Sequence, residues 1–340
     1  MLNTNDKFSS MKDVAELAGV STATVSHVIN ETRYVSEKTK LKVMQVMKEL
    51  DYRPNSIARS LRSSKSKTIA LLVPILGTDT SNFFFMSIAQ GIESKFREHG
   101  YHLILSNTNE SIEIENEQIK SFNTQLIDGL IMAPASPDSA HLHETLSGRY
   151  PVVFIDRKPN DLIGDCVLAD NLNGSREAVG SLLERSGSKV GFISGELGLT
   201  TSDARFEGYK QALKDYHFPF RPELVKIGPA TFEEGYRLAR ELWETGKPSS
   251  VMIANNIMTM GAISFFNERK IKIPEEIKII GYDDYDWAKI TSPPLTVVKQ
   301  PAFELGVKAA EALISRIEDP SQPFQDYYLP TELVIRESTN

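Results

Sequence analysis

The stretch Met11–Asn30, MKDVAELAGVSTATVSHVIN, constrains this chain more than any other. Lys12–Ala18 puts Val14, Ala15, Leu17 and Ala18 on the apolar side of one amphipathic helix, and Gly19-Val20-Ser21 breaks it. The Ser21 hydroxyl stands where it can accept a free first-turn N–H, which predicts a second helix from Thr22 to about Asn30. In that helix Val25, Val28 and Ile29 recur at helical spacing and are expected inside, leaving Thr22, Ala23, Ser26 and His27 outside. Two short helices around a glycine turn, the second with a small polar outer face, make a helix-turn-helix that can enter a major groove. Taken by itself the segment also reads as an ordinary helical hairpin.

The following residues complete a small domain. Ser36-Glu37-Lys38-Thr39 signals a helix start, and Leu41, Val43, Met44, Val46, Met47 and Leu50 supply the apolar stripe of a third helix. Pro54 ends that helix or begins the next, Ser56–Arg62 has room for one or two helical turns, and Ser63–Lys67 is a polar, basic tether. Charge divides at the same place. Residues 1–67 hold 12 Lys and Arg against 7 Asp and Glu, whereas the rest hold 26 against 38. The net charge of −7 thus hides a basic head on an acidic body, the distribution expected if only the head meets phosphate.

From Thr68 onward apolar strand-like runs alternate with helical patterns. Thr68–Val73, Tyr101–Ser106, Gly129–Met132 and Val152–Ile155 read as strands, with helices at Phe83–His99 and Ile114–Thr124. After Asp170 the rhythm restarts, with helices near Ser175–Arg185, Ala204–Tyr216, Glu233–Glu244 and Thr259–Arg269 around strands Val190–Ile193, Val251–Ile253 and Ile277–Ile280. The reading is α/β: an all-α head, then two similar lobes of parallel sheet covered by helices. Such sheets bind ligands beyond the carboxyl ends of their strands, so a cleft between the lobes is the expected site.

The recognition segment STATVSHVIN and the segment RPNSIARSLRSS resemble those of the LacI/GalR family of bacterial transcription regulators, most closely its purine-responsive members, and the resemblance runs over almost the whole chain. It implies a head over 11–53, a hinge helix and tether over 54–67, and a body like that of periplasmic sugar-binding proteins. The first lobe is expected over 68–169 with about 299–325, the second over 170–298 with about 326–338. The chain then crosses between lobes near Ala169–Asn171, Pro294–Lys299 and Pro323–Leu329. The family's pattern makes Leu61 a minor-groove wedge at the operator centre, with Ala58 facing the groove and Asn55 and Arg59 near the backbone. On the recognition helix Thr22 is expected at a base edge, Ala23 at a thymine methyl, His27 at guanine N7, and Thr24 and Ser26 at phosphate. In the cleft the matching positions are Phe84, Phe85, Asp156, Arg205, Asn255 and Asp283, with Trp287 as a stacking platform or rim residue. Leu199 and Ala230 fall where purine-responsive members carry an arginine and a stacking phenylalanine, so the head resembles those members more than the pocket does.

These features imply a repressor that binds a palindromic double-stranded DNA operator as a homodimer, gated by a small effector: a sugar, sugar acid or sugar phosphate. A purine-responsive repressor is the alternative, followed by a sugar-binding protein without DNA function. No G-x-G-x-x-G, Walker A, H-E-x-x-H or G-x-S-x-G motif occurs, and His141 and His143 are spaced two apart, wrong for one helix face, so no enzyme, cofactor or metal is expected. No apolar run approaches the ~20 residues of a membrane span. The N-terminus lacks a signal-peptide pattern. The single cysteine, Cys166, reads as a strand residue and fits a reducing cytoplasm.

Overall fold

The computed structural model describes residues 9–52, 66–76 and 81–340, which divide into a compact head ending at Ser66 and a body beginning at Lys67. Asn55, Ala58, Arg59 and Leu61, on which the expected hinge rests, lie outside the described residues.

In the head, α1 (Met11–Ala18) starts on a capping box in which Ser10 and Asp13 bond reciprocally, and stops at Gly19, whose φ of 63° supplies the left-handed C-cap. Ser21 accepts the Thr24 N–H (3.1 Å) to start α2 (Thr22–Asn30), and Ser36 accepts the Thr39 N–H (3.3 Å) to start α3 (Glu37–Glu49). Val14, Ala15, Ala18, Val25, Val28, Val43 and Val46 form the core. Three expected core residues stay out: Leu17, Leu41 and Met44 are exposed. With about 100° of rotation per residue, Leu17 falls off the stripe set by Val14, Ala15 and Ala18, and Leu41 opposite that set by Val43 and Val46.

The body is built on two six-stranded sheets. The first contains β1 (Thr68–Val73), β2 (His102–Asn107), β3 (Gly129–Met132), β4 (Val152–Ile155), β5 (Asp165–Ala169) and β11 (Asp326–Leu329), in the order β11-β5-β4-β3-β1-β2. The second contains β6 (Val190–Ser194), β7 (Val225–Ile227), β8 (Ser250–Ile253), β9 (Lys278–Tyr282), β10 (Thr296–Lys299) and β12 (Glu332–Val334), in the order β12-β10-β9-β8-β6-β7. Every pairing is parallel except β10 with β12.

Helices α4 (Ser81–Glu98), α5 (Ile112–Thr124), α6 (Ala140–Thr145) and α12 (Ala302–Glu318) belong to the first lobe. The second holds α7 (Asn171–Ser186), α8 (Thr200–Asp215), α9 (Phe232–Thr245), α10 (Asn256–Glu268) and α11 (Asp286–Ile290). Each lobe has a helix pair that meets backbone to backbone through reciprocal glycines. A Cβ on Gly91 of α4 would overlap the Phe303 carbonyl, and one on Gly306 of α12 the Ile88 carbonyl; Gly235 and Gly261 make the same reciprocal contact between α9 and α10.

The C-terminal crossing corrects the sequence reading. Asp326–Leu329 belongs to the first sheet, paired with Cys166–Ala169, and the second lobe resumes only at β12. The cause is a buried clamp. Arg316 bonds both carboxylate oxygens of Asp165 (3.0 and 3.1 Å) and the carbonyls of Pro320, Gln322 and Pro323, while the Gln325 N–H donates to Asp165 (3.0 Å). That fixes residues 320–325 beside β5. Lys299, expected at the edge of the first lobe, ends β10 in the second sheet.

Candidate functional site

Parallel strands point their carboxyl ends the same way, and here the loops beyond those ends form one cleft between the two lobes. From the first lobe come Leu76 after β1, Ala135 and Pro137 after β3, and Asp156 and Arg157 after β4. The second lobe gives Gly195–Leu199 after β6, Pro229–Thr231 after β7, Asn255 after β8 and Asp283 after β9. Phe84 and Phe85 enter from the first turn of α4, and Arg205 from α8. The cavity measures about 530 Å³, inside the usual range for small-molecule sites.

Six of the seven residues expected in the cleft are therefore brought together: Phe84, Phe85, Asp156, Arg205, Asn255 and Asp283. Asp156 and Asp283 occupy equivalent places in the two lobes. Each follows the third strand in its sheet's order (β4 and β9), each has a φ of 66°, and each donates its N–H to the neighbouring strand (Val167 O, 3.1 Å; Val298 O, 2.8 Å). Aspartate tolerates this left-handed turn better than most side chains. Phe84 and Phe85 are buried and meet edge to face, while Phe83, the third of the run, is turned out to pack on Tyr285.

Trp287 is not in the cleft. After its left-handed turn at Asp283 the chain leaves the cleft, and α11 carries Trp287 onto the second-lobe core and a neighbouring cavity with Phe83, Tyr285 and Phe303.

Arg205 is held by three contacts. Its Nε donates to Asn171 Oδ1 (2.8 Å), its Nη1 to the Ala254 carbonyl (2.8 Å), and its guanidinium lies 3.8 Å over the Tyr282 ring. The Tyr282 hydroxyl donates to the same Asn171 oxygen (2.7 Å), and Asn171 Nδ2 donates to Ala169 O (3.2 Å) across the first lobe crossing. Burial raises the Tyr282 pKa, so its hydroxyl stays a donor. Nothing in the sequence singled out Asn171. Its part depends on partners 34 and 111 residues away.

Two further contributors were not anticipated. Arg157 makes a two-pronged pair with Glu110 (2.6 and 2.7 Å); burial opposes its charge, but Glu110 and Asp156 beside it hold its pKa above the usual arginine value. Gln300, at the second crossing, donates to Asp283 Oδ1 (2.8 Å). Asp156 is itself pushed above the ordinary carboxylate range by burial, with Arg157 and Arg205 pulling the other way. Behind the cleft wall, fully buried Glu115 accepts the Ala135 N–H (2.8 Å) and meets His141 Nε2 (2.7 Å), so it ties the loop after β3. Asn255 also has a structural duty, accepting the Met258 N–H (3.2 Å) to cap α10. Cys166 is buried and its thiol is pushed up to about 12 by burial, which leaves it unreactive. Among the described residues no group of three or more potential metal ligands occurs.

In the head, Thr22 and Ala23 are exposed at the start of α2, and Thr24, Ser26 and His27 are partly exposed beyond them. Thr24 Oγ1 is 2.9 Å from Ser21 Oγ, which draws it toward the cap. Asn30 Nδ2 donates to the Ser26 carbonyl (2.8 Å). Among the described residues no helix is long and apolar enough to cross a membrane.

Residues 10–55 match the family described as bacterial regulatory proteins, lacI family, and residues 179–339 match the periplasmic binding protein-like domain. The chain is similar to the ribose operon repressor of Haemophilus influenzae, at 33% identity over 97% of this chain and 98% of that protein. It is also similar to the transcriptional repressor PurR of Vibrio atlanticus, at 35% identity over the same shares. Among solved structures, the lac repressor dimer bound to operator and the anti-inducer ONPF superposes with a TM-score of 0.87 (26% identity, 98% of this chain and 99% of that one). The transcriptional regulator CelR in complex with cellobiose gives 0.73 (28% identity, 97% and 99%).

Proposed function

Because this chain belongs to the lacI family of bacterial regulatory proteins, a family of DNA-binding transcription regulators and not of enzymes, we propose that it represses transcription from a palindromic operator and is gated by a neutral sugar in the inter-lobe cleft. The observation that carries the effector class is the charge inventory of the cleft. Glu110, Asp156, Glu196 and Asp283 line it against Arg157 and Arg205, and Arg157 is already engaged by Glu110. Arg157 also pairs with Asp156 (3.5 Å), so four carboxylates face two arginines, an excess of negative charge that repels phosphate and carboxylate ligands. Carboxylates and a fixed guanidinium suit vicinal hydroxyls, as acceptors and donor respectively, and Phe84 and Phe85 offer apolar faces to a ring. The cellobiose complex of CelR is a precedent for a sugar in this fold.

A purine effector is the second reading, favoured by the 35% identity to PurR. Against it, Leu199 and Ala230 line this cleft at the positions where purine-responsive members resemble one another in carrying arginine and phenylalanine.

Dimerisation accounts for exposed apolar side chains on the body: Met86 on α4, Ile104 and Leu105 on the edge strand β2, and Ile290, 84% exposed, at the end of α11. Two paired bodies present two heads to half-sites related by a two-fold axis. Thr22, Ala23 and His27 then read base edges, Thr24 and Ser26 meet phosphate, and Leu61 with Asn55, Ala58 and Arg59 bends the operator centre. Effector contact at Arg205 and Asp283 changes the lobe angle and releases or orders the hinge. Access to the chromosome sets the site of action in the cytoplasm.

Selection from a random duplex library tests the DNA part. The full chain is expected to enrich an inverted repeat, and a chain lacking residues 1–66 to retain no DNA. Equal retention by both would overturn the assignment of DNA reading to the head.

A further inference from the structure

The left-handed residue that ends α2 does more than stop a helix. Glu31 has a φ of 51°, and the reversal it makes brings Thr32 back beside the last turn of α2. There Thr32 Oγ1 lies 2.8 Å from His27 Nδ1. Glu31 is itself tied to Lys40 of α3 (3.4 Å), which anchors the reversal to the third helix. The neighbouring outward side chains are held by residues within α2 or at its cap, Thr24 by Ser21 and Ser26 by Asn30. His27 is held by a residue that follows the helix.

An imidazole has two ring nitrogens, and a partner on one decides what the other presents. A threonine hydroxyl can donate to Nδ1, which leaves the ring proton on Nε2, or accept from Nδ1–H, which leaves Nε2 an acceptor in a neutral ring and a donor in a charged one. A donor in the major groove is matched by guanine, whose N7 and O6 both accept. We propose that Thr32 is a positioning residue for sequence reading: it holds the His27 ring with Nε2 outward and, by donating to Nδ1, favours the Nε2–H tautomer that selects guanine at the base pair His27 meets. The inference rests on the reading above that His27 meets a base edge. Without the Thr32 hydroxyl the ring is free to flip and to exchange tautomers, so Nε2 alternates between donor and acceptor and guanine loses its advantage.

The experiment is selection from a random duplex library with the full-length wild type and the variants Thr32→Val, Thr32→Ser and His27→Ala, followed by binding titrations on the best operator and its single-base variants. The wild type is expected to prefer guanine by about fivefold to tenfold at one position per half-site, the range of one good base contact. Thr32→Val, which keeps shape and removes the hydroxyl, is expected to cut that preference below about twofold with other positions and affinity for random duplex unchanged. Thr32→Ser is expected to restore it. Thr32→Val with the wild-type preference, while His27→Ala loses it, overturns the inference and leaves the reading of His27 intact. Wild type and His27→Ala with one and the same preference at every position overturn both. A wild-type preference for cytosine there overturns the donor assignment, and one for adenine or thymine overturns the selection of guanine. A general loss of affinity in Thr32→Val, with the guanine preference kept, shows a role in stability only and also overturns it.

Discussion

Replacing Asn171 by alanine is the sharpest structural perturbation of the cleft. The side chain makes three hydrogen bonds: its oxygen accepts from Arg205 Nε (2.8 Å) and the Tyr282 hydroxyl (2.7 Å), and its amide donates to Ala169 O (3.2 Å). Tyr282 is fully buried, and Arg205 and Asn171 are nearly so, so water does not readily replace the lost acceptor. A buried donor left without a partner costs about 1–3 kcal/mol, more for a charged one. Arg205 keeps the Ala254 carbonyl and the face of Tyr282, which limits the loss. The expected total is about 3–5 kcal/mol, equivalent to roughly 6–20 °C in Tm for a body of this size. Asn171→Asp keeps both acceptor contacts, strengthens that to the guanidinium, and sets a carboxylate against Ala169 O; it is expected to lose only about 1–2 kcal/mol. Scanning calorimetry or urea unfolding of the two variants reads the difference. If Asn171→Ala lies within about 1 kcal/mol of wild type, or Asn171→Asp is the worse of the two, the shared-acceptor account of Arg205 is wrong.

Further tests follow from packing and from buried charge. Gly306→Ala sets a Cβ into the Ile88 carbonyl and is expected to cost about 3 kcal/mol or more; Gly148→Ala has open space and a φ of 68°, so it is expected to cost about 1–2 kcal/mol, and equal melting losses would refute the close-contact explanation. Glu115 has its pKa held above the ordinary 4.5 by burial, so in the window between 4.5 and the raised value the native chain holds a proton that the unfolded chain has lost. That group therefore lowers stability as pH rises through the window. Glu115→Gln keeps an acceptor for Ala135 and removes the slope, so its Tm difference from wild type should grow in its favour as pH rises there; a constant difference would refute it.

Long apolar strands and capped helices were readable because each carries its own signal. Thr68–Val73, Gly129–Met132, Val152–Ile155 and Thr22–Asn30 occupy the spans their residues predict. The edge strands β7, β11 and β12 were not readable. They are three or four residues long and half-exposed, and they exist because a neighbour pairs with them. For β11 the neighbour is fixed by Arg316 and Asp165, far apart in the chain. The cleft divides in the same way. Residues at strand ends, such as Asp156, Asn255 and Asp283, follow from topology and from the family pattern. Asn171, Gln300 and the Glu110–Arg157 pair gain their place only from partners that the fold brings in. Of the two places open to Trp287, the cavity that it lines shares Phe84, Asp283 and Gln300 with the cleft, which fits a rim residue and not a stacking platform inside.

The most direct test of the effector assignment is a thermal-shift screen of the full chain against neutral sugars, sugar acids, sugar phosphates and purines, run in parallel on Asp283→Ala. Ligand bound to the native state raises Tm by mass action, about 2.7 kcal/mol of stabilisation at a hundred times Kd. A neutral sugar is expected to raise the wild-type Tm and to leave the Asp283→Ala Tm unmoved, with no response to phosphates or purines. A response to hypoxanthine or guanine and to no sugar, or a sugar response that survives Asp283→Ala, would contradict a cleft built for uncharged hydroxyls.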